Sequence, residues 1–242
     1  MKNLNNPPLI RATFKIWWHL YSIDDIEQSQ YILGDFFGEI KNHFPNRNVL
    51  GRVMSLQNIG TNMLITEFKK SKDDDGIVIE LTNESLDLIC TGQNYKWEDF
   101  KTEIQSVTKK ISKVLKELID PDHLHISLEY LNFVEEEDKE DILNYLSNNL
   151  NFNVDQKFYD QKSGPYKYDF SLGYKHTENC KILIHISNGE YQNQNGIVIK
   201  YKTDSGKESN SISHIIDWAD MSHSLCETIF FKMHENILDK YS

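Results

Sequence analysis

Apolar and polar residues alternate along the chain at two periods, near two and near 3.6, and the switches between them mark out its elements. Residues 9–20 are rich in aromatic and β-branched side chains (Thr13, Phe14, Ile16, Trp17, Trp18), which predicts a strand. Asp24-Asp25 then offers an N-cap, and Ile26, Tyr31, Leu33, Phe36, Phe37 and Ile40 follow as a helix towards His43, stopped by Pro45. Residues 63–68 and 77–81 read as strands flanking the charge-balanced polar loop 69–76, and residues 86–90 as a third strand. Trp97, Phe100, Ile104, Val107, Ile111, Val114 and Leu118 step by threes and fours to Pro121, the clearest helix in the chain. Its opposite face is rich in Lys and Glu, so it packs on something.

The second half opens with a strand over 125–134. The acidic run Glu135-Glu136-Glu137-Asp138 reads as the first turn of a helix ending at Leu150. Residues 170–174, 181–187 and 197–201 are strand-like, with Gly189 and Asn193-Gln194-Asn195-Gly196 marking the last hairpin turn. A final helix over 216–238 takes its apolar side from Trp218, Leu225, Ile229, Phe230, Met233 and Ile237.

The two halves resemble each other. Gly76-Ile77-Val78-Ile79-Glu80 recurs as Gly196-Ile197-Val198-Ile199-Lys200, a shift of 120, and Trp97-Glu98-Asp99-Phe100 as Trp218-Ala219-Asp220-Met221, a shift of 121. Residues 64–68 match 182–186 in kind, which places His185 opposite Glu67. The expectation is an α+β fold of two units, 1–120 and 121–242, each strand–helix–three strands–helix. Long amphipathic helices cover their antiparallel sheets, and the units pack with pseudo-twofold symmetry as one body, with any groove between them a natural binding place.

Charge refines this picture. The 242 residues carry 26 Lys+Arg against 37 Asp+Glu, a net charge of -11. Residues 1–120 hold 15 basic and 17 acidic side chains, and residues 121–242 hold 11 and 20, so the acidity belongs to the second half. A phosphate backbone needs a basic surface, so direct duplex nucleic-acid binding is not expected. No run reaches the roughly 18 apolar residues of a membrane span, and the start has no apolar signal region, which predicts a cytoplasmic protein off the membrane. Cys90, Cys180 and Cys226 lack any paired spacing and read as buried thiols in a reducing compartment, not as disulfides or a zinc site.

Three segments carry a family likeness: Asn6-Pro7-Pro8-Leu9, Leu128-Glu129-Tyr130-Leu131-Asn132-Phe133, and Asp217-Trp218-Ala219-Asp220-Met221-Ser222-His223 before a Phe-rich helix. In these the chain resembles a sporadically distributed bacterial family of uncharacterised proteins of about this length. Many members have Glu two residues after the first Leu, where Arg11 stands here. The resemblance implies neither an activity nor catalytic residues, and its patchy distribution suits accessory or defence-associated genes.

Candidate chemistry is sparse. Leu124-His125-Ile126-Ser127 and Ile184-His185-Ile186-Ser187 look like the paired His-x-Ser motif of two-histidine phosphoesterases. There both imidazoles act as acid and base on one phosphodiester while the hydroxyls hold the phosphate. Nine histidines supply about one such triplet by chance, and both copies lie in the second half. Asp220, His223 and Glu227 fall at i, i+3 and i+7, one helix face, without a second fixed imidazole for a metal. They read as a solvated polar stripe and as candidate partner contacts. His123 and His125, two apart on a strand, bring no further ligand with them and are not read as a metal site. No phosphate loop or nucleophile elbow appears, Gly60 and Gly92 read as turn residues, and Trp17-Trp18 as packing. The favoured function is therefore a non-catalytic accessory protein binding a basic protein partner, in a defence or toxin–antidote setting, without cofactor or metal. The alternatives are a nucleotide phosphodiesterase using His125, Ser127, His185 and Ser187, and a small-ligand cup between sheet and helix.

Overall fold

The structure, a computed structural model, describes residues 7–18, 23–52, 63–71, 76–82, 84–92, 95–115, 124–135, 142–154, 165, 167–205 and 212–241. Its elements run β1 (Leu9–Trp18), α1 (Ile23–Ile40), β2 (Asn46–Arg52), β3 (Met63–Lys69), β4 (Ile77–Leu81), β5 (Ser85–Thr91) and α2 (Trp97–Leu115). They continue as β6 (Leu124–Glu135), α3 (Ile142–Leu150), β7 (Asp169–Thr177), β8 (Cys180–Tyr191), β9 (Gln194–Asp204) and α4 (Ile212–Met233), ending in a 3-10 helix at Glu235–Tyr241. The nine described strands form one antiparallel sheet in the order β2-β3-β4-β5-β1-β6-β9-β8-β7. Fold class is thus α+β, with several helices on a large antiparallel sheet. Glu136, Glu137 and Asp138, together with Gly60, Pro121 and His123, lie outside the described residues.

The alternation in β1 decides which face meets the helices. Ala12, Phe14, Ile16 and Trp18 are buried, while Arg11, Thr13, Lys15 and Trp17 point the other way. On the same face as Phe14, Phe68 of β3 takes the rings of Phe36 and Phe37 from α1, at centroid distances of 6.2 and 5.8 Å. The α2 stripe of Phe100, Ile104, Val107 and Ile111 is also buried. Lys101 of α2 bonds Asp220 of α4 at 2.5 Å, and Asn236 after α4 caps the Asn148 carbonyl of α3 at 2.7 Å. The helices therefore lie side by side on one face. The other face is laced by cross-strand and diagonal ion pairs: Lys15–Asp87 at 3.1 Å, and Glu129 with both Arg11 and Lys200 at 3.6 Å.

Sharp reversals use local chemistry. The β8–β9 hairpin closes on Gln192 and Asn193, both at positive φ (52° and 64°), the two-residue turn whose twist matches the strands. All three cysteines are free and buried.

Three expectations change. First, β2 was not foreseen: Asn46-Arg47-Asn48-Val49 has no apolar alternation, because an edge strand needs few core side chains. The first half thus carries four strands between its helices, not three. Second, the repeated Gly-Ile-Val-Ile pieces occupy unlike places. Gly76–Glu80 covers β4, two strands from β1, whereas Gly196–Lys200 lies on β9, which pairs with β6 directly. Likewise Trp97 opens α2 while Trp218 lies in the second turn of α4. Such tetrapeptides suit any half-buried strand, so their spacing does not relate corresponding strands. Third, His185 lies on β8, two strands from β6, whereas Glu67 lies on β3, three strands from β1, so the two residues do not hold matching sheet positions.

Candidate functional site

The two His-x-Ser triplets do not meet. Leu131 of β6 pairs with Lys200 of β9, which pairs with His185 of β8. His185 is therefore level with Leu131, six residues along from His125 and two strands over. At ~3.3 Å per residue and ~4.8 Å per strand, the histidines are about 22 Å apart on one sheet face. One phosphodiester cannot span that, and the phosphodiesterase alternative fails on geometry. Each ring is otherwise engaged: His125 stacks on Trp17 (5.4 Å, 13°), and His185 Nε2 lies 2.7 Å from Asp169 Oδ1.

On the helical face of the sheet, a cavity of about 530 Å³ opens between α4 and the strands. Its floor is Tyr130 and Asn132 of β6 and Tyr201 of β9, with Pro7 and Leu9 at one edge and Tyr95, Lys96 and Trp97 leading into α2 at another. The wall is α4, which contributes His223, Cys226, Glu227, Phe230 and Phe231 at i, i+3, i+4, i+7 and i+8, a single helix face. Gly92 sets the near edge. A Cβ there would stand 1.5 Å from the Leu9 carbonyl oxygen, so only glycine lets β1 pass this closely before Tyr95 enters the wall.

Of the stripe Asp220–His223–Glu227, expected to be a solvated polar face, His223 and Glu227 line the cavity while the Asp220 side chain stays 39% exposed. Asp220 accepts from Trp97 Nε1 (3.2 Å) and Lys101 Nζ (2.5 Å), locking α4 to α2. His223 stacks on Trp97 at 4.1 Å and 12°, and its Nδ1 lies 2.8 Å from the Tyr130 hydroxyl, itself 2.8 Å from the Tyr95 hydroxyl. Its Nε2 faces Glu227 Oε2 at 3.9 Å, which is an ion pair only when the ring is protonated. Burial lowers His223 to about 4 against a lesser upward pull from Asp220, so the imidazole is neutral at pH 7. Desolvation raises the Glu227 carboxyl, and it raises the hydroxyls of Tyr95 and Tyr130.

Chemically, the arrangement holds a chain of hydroxyl, hydroxyl and imidazole beside a half-buried carboxylate, in an otherwise aromatic space. It holds no activated nucleophile, because burial pushes the Cys226 thiol up to about 12 and leaves it protonated. Sequence reasoning singled out His223 and Glu227 but missed Tyr95, Trp97, Tyr130, Asn132 and Tyr201 as site residues. Residues 6–9, 128–133 and 217–223, singled out together in the sequence, all reach this cavity, through Pro7 and Leu9, through Tyr130 and Asn132, and through His223.

No helix among the described residues is long and apolar enough to cross a membrane. No family model and no curated protein matches the chain. Among solved structures it is similar to the di-domain ARO/CYC StfQ from the steffimycin biosynthetic pathway, at 8% identity over 96% of this chain and 98% of that one, with a TM-score of 0.24. A likeness of that size carries no argument about fold or function.

Proposed function

We propose that the protein binds a small ligand, apolar in body and bearing one polar group, in the cavity between α4 and the sheet. The cavity itself carries this reading. Its volume of about 530 Å³ suits a compact organic molecule, and its aromatic walls bury apolar surface while His223, Asn132, Tyr95 and Glu227 are few enough to orient one group. The protonated Cys226 thiol is a poor nucleophile at pH 7, which favours holding a ligand over covalent chemistry at that residue. Asp220 and His223 are engaged by Trp97, Lys101 and Tyr130, and Glu227 faces the cavity, so a basic protein partner would rest on bulk charge alone. Nothing in the geometry speaks to a defence setting.

Ligand-observed NMR against one- and two-ring aromatic fragments tests this. Wild-type protein is expected to give saturable hits that vanish in Cys226→Phe and in Phe231→Trp, each of which adds bulk to the cavity. Absence of hits, or unchanged hits in a filled variant that keeps its native circular dichroism, rejects the reading.

The two-unit architecture belongs with this proposal. The order strand–helix–strands–helix occurs twice, with β1 and β6 paired at the centre, which supports a duplicated chain whose pseudo-twofold axis passes through that pair. Superposing β6, α3, β7, β8, β9 and α4 on β1, α1, β3, β4, β5 and α2 checks it; a rotation axis away from the β1–β6 pair rejects it.

A further inference from the structure

The cavity's charges are unevenly placed. Lys96, the cation of its wall, is exposed, whereas the Glu227 side chain is only 20% exposed. Asp220, two turns before Glu227, is already neutralised by Lys101, but Glu227 has no lysine or arginine partner among the described residues. The group nearest it in charge is His223, which is neutral at pH 7 and stands 3.9 Å away, too far for a direct hydrogen bond. Burial outweighs the favourable pull of the chain's amino terminus on Glu227, and a half-buried carboxylate beside aromatic side chains, without a lysine or arginine partner among the described residues, is an environment in which an organic cation is better solvated than most other guests. A carboxylate guest would bring a second negative charge into the same low-dielectric space, which is costly.

The gap between His223 and Glu227 has a matching shape. With the Nδ1 proton given to the Tyr130 hydroxyl, Nε2 presents a lone pair facing the Glu227 oxygen. An ammonium nitrogen about 2.9 Å from each donates to both, closing the gap with two charge-assisted hydrogen bonds. Phe230 and Phe231, one turn further along α4, and Trp97 opposite then supply the ring surface next to that nitrogen.

We propose that the ligand of this cavity is an organic amine in its ammonium form, its nitrogen held between Glu227 and His223 and its apolar body resting on Tyr130, Tyr201 and Phe230. This identification rests on the ligand-binding reading above and names the ligand's class. The chain's net charge of -11 assists by drawing cations towards the protein at low salt.

Isothermal titration calorimetry on the full chain at pH 7.5 tests it, using matched phenylalkyl and naphthylalkyl probes that end in ammonium, hydroxyl or carboxylate. The ammonium probes are expected to bind at least tenfold tighter than the carboxylates. Glu227→Gln is expected to weaken ammonium binding tenfold or more while changing the hydroxyl probes less than twofold. If hydroxyl or carboxylate probes bind as tightly as ammonium, or if Glu227→Gln weakens all probes alike, the amine assignment falls and the cavity reading stands. If no probe of any class binds saturably, the cavity reading falls with it.

Discussion

Acid should destabilise this protein through His223 in a way one substitution can isolate. The ring is buried at a pKa of about 4 in the folded chain, against an ordinary value of ~6.5 when unfolded. Its folded pKa is depressed, so the unfolded state binds the proton more readily. Stability is full above pH ~6.5 and is lost as pH falls towards 4. A difference of roughly 2.5 units at 1.36 kcal/mol each sets a limit of about 3 kcal/mol, of which about 2 kcal/mol is lost by pH 5.0. His234, also buried and lowered to about 4, titrates in the same sense, and Glu227, raised by burial, in the opposite one. Both are shared by the wild type and a His223→Gln variant, whose amide can still meet the Tyr130 hydroxyl. Urea unfolding followed by circular dichroism at pH 7.5 and 5.0 gives the comparison. The wild type should lose about 2 kcal/mol more than His223→Gln across that interval. Equal losses would mean that burial does not hold the ring neutral, and the account of the site's electrostatics would be wrong.

Three further outcomes follow from local geometry. Gly38 lies on the exposed side of α1 with nothing within 4 Å of an added Cβ, so Gly38→Ala should raise stability by about 0.5–1 kcal/mol in urea titrations, through helix propensity and a less flexible unfolded chain. Gly92→Ala should cost about 2 kcal/mol or more, because its Cβ would meet the Leu9 carbonyl at 1.5 Å; as β1 shifts, ligand affinity at the cavity should fall with it, read by the same titrations and by calorimetry. Asn193→Gly, at φ 64° in the β8–β9 turn, should raise the thermal midpoint by a degree or more, since glycine adopts that conformation without strain; a lower midpoint would contradict the turn assignment.

Legibility varied from element to element for reasons that can be named. The spacing of α2 was plain, since Phe100, Ile104, Val107 and Ile111 repeat one face and that face is buried. The strands β1, β3 to β6 and β9 were readable because half-buried strands must alternate, whereas β2, at the sheet edge, shows no such alternation and was missed. The His-x-Ser pair illustrates a different limit. Both triplets lie on strands and on one face, as their local pattern implies, yet nothing in that pattern says that His185 is level with Leu131 and not with His125. The same holds for the polar residues of α4, whose spacing shows a shared face but not whether water or Trp97 covers it.

What the sequence by itself determined is what depends on neighbours a few residues away: the α+β class, the places of most helices and strands, the apolar stripe of α2, and the acidity of residues 121–242. Periods of two and 3.6 are local properties, and amino-acid order encodes them directly. Only the tertiary structure decided the order of the sheet, the placing of His223 and Glu227 on the cavity, and the cavity that joins Leu9, Tyr130, Tyr201 and Phe230. Those features depend on which strands pair and in what register, and that is settled by the collective packing of side chains distant in sequence, where a slip of one residue would turn a whole strand face outward.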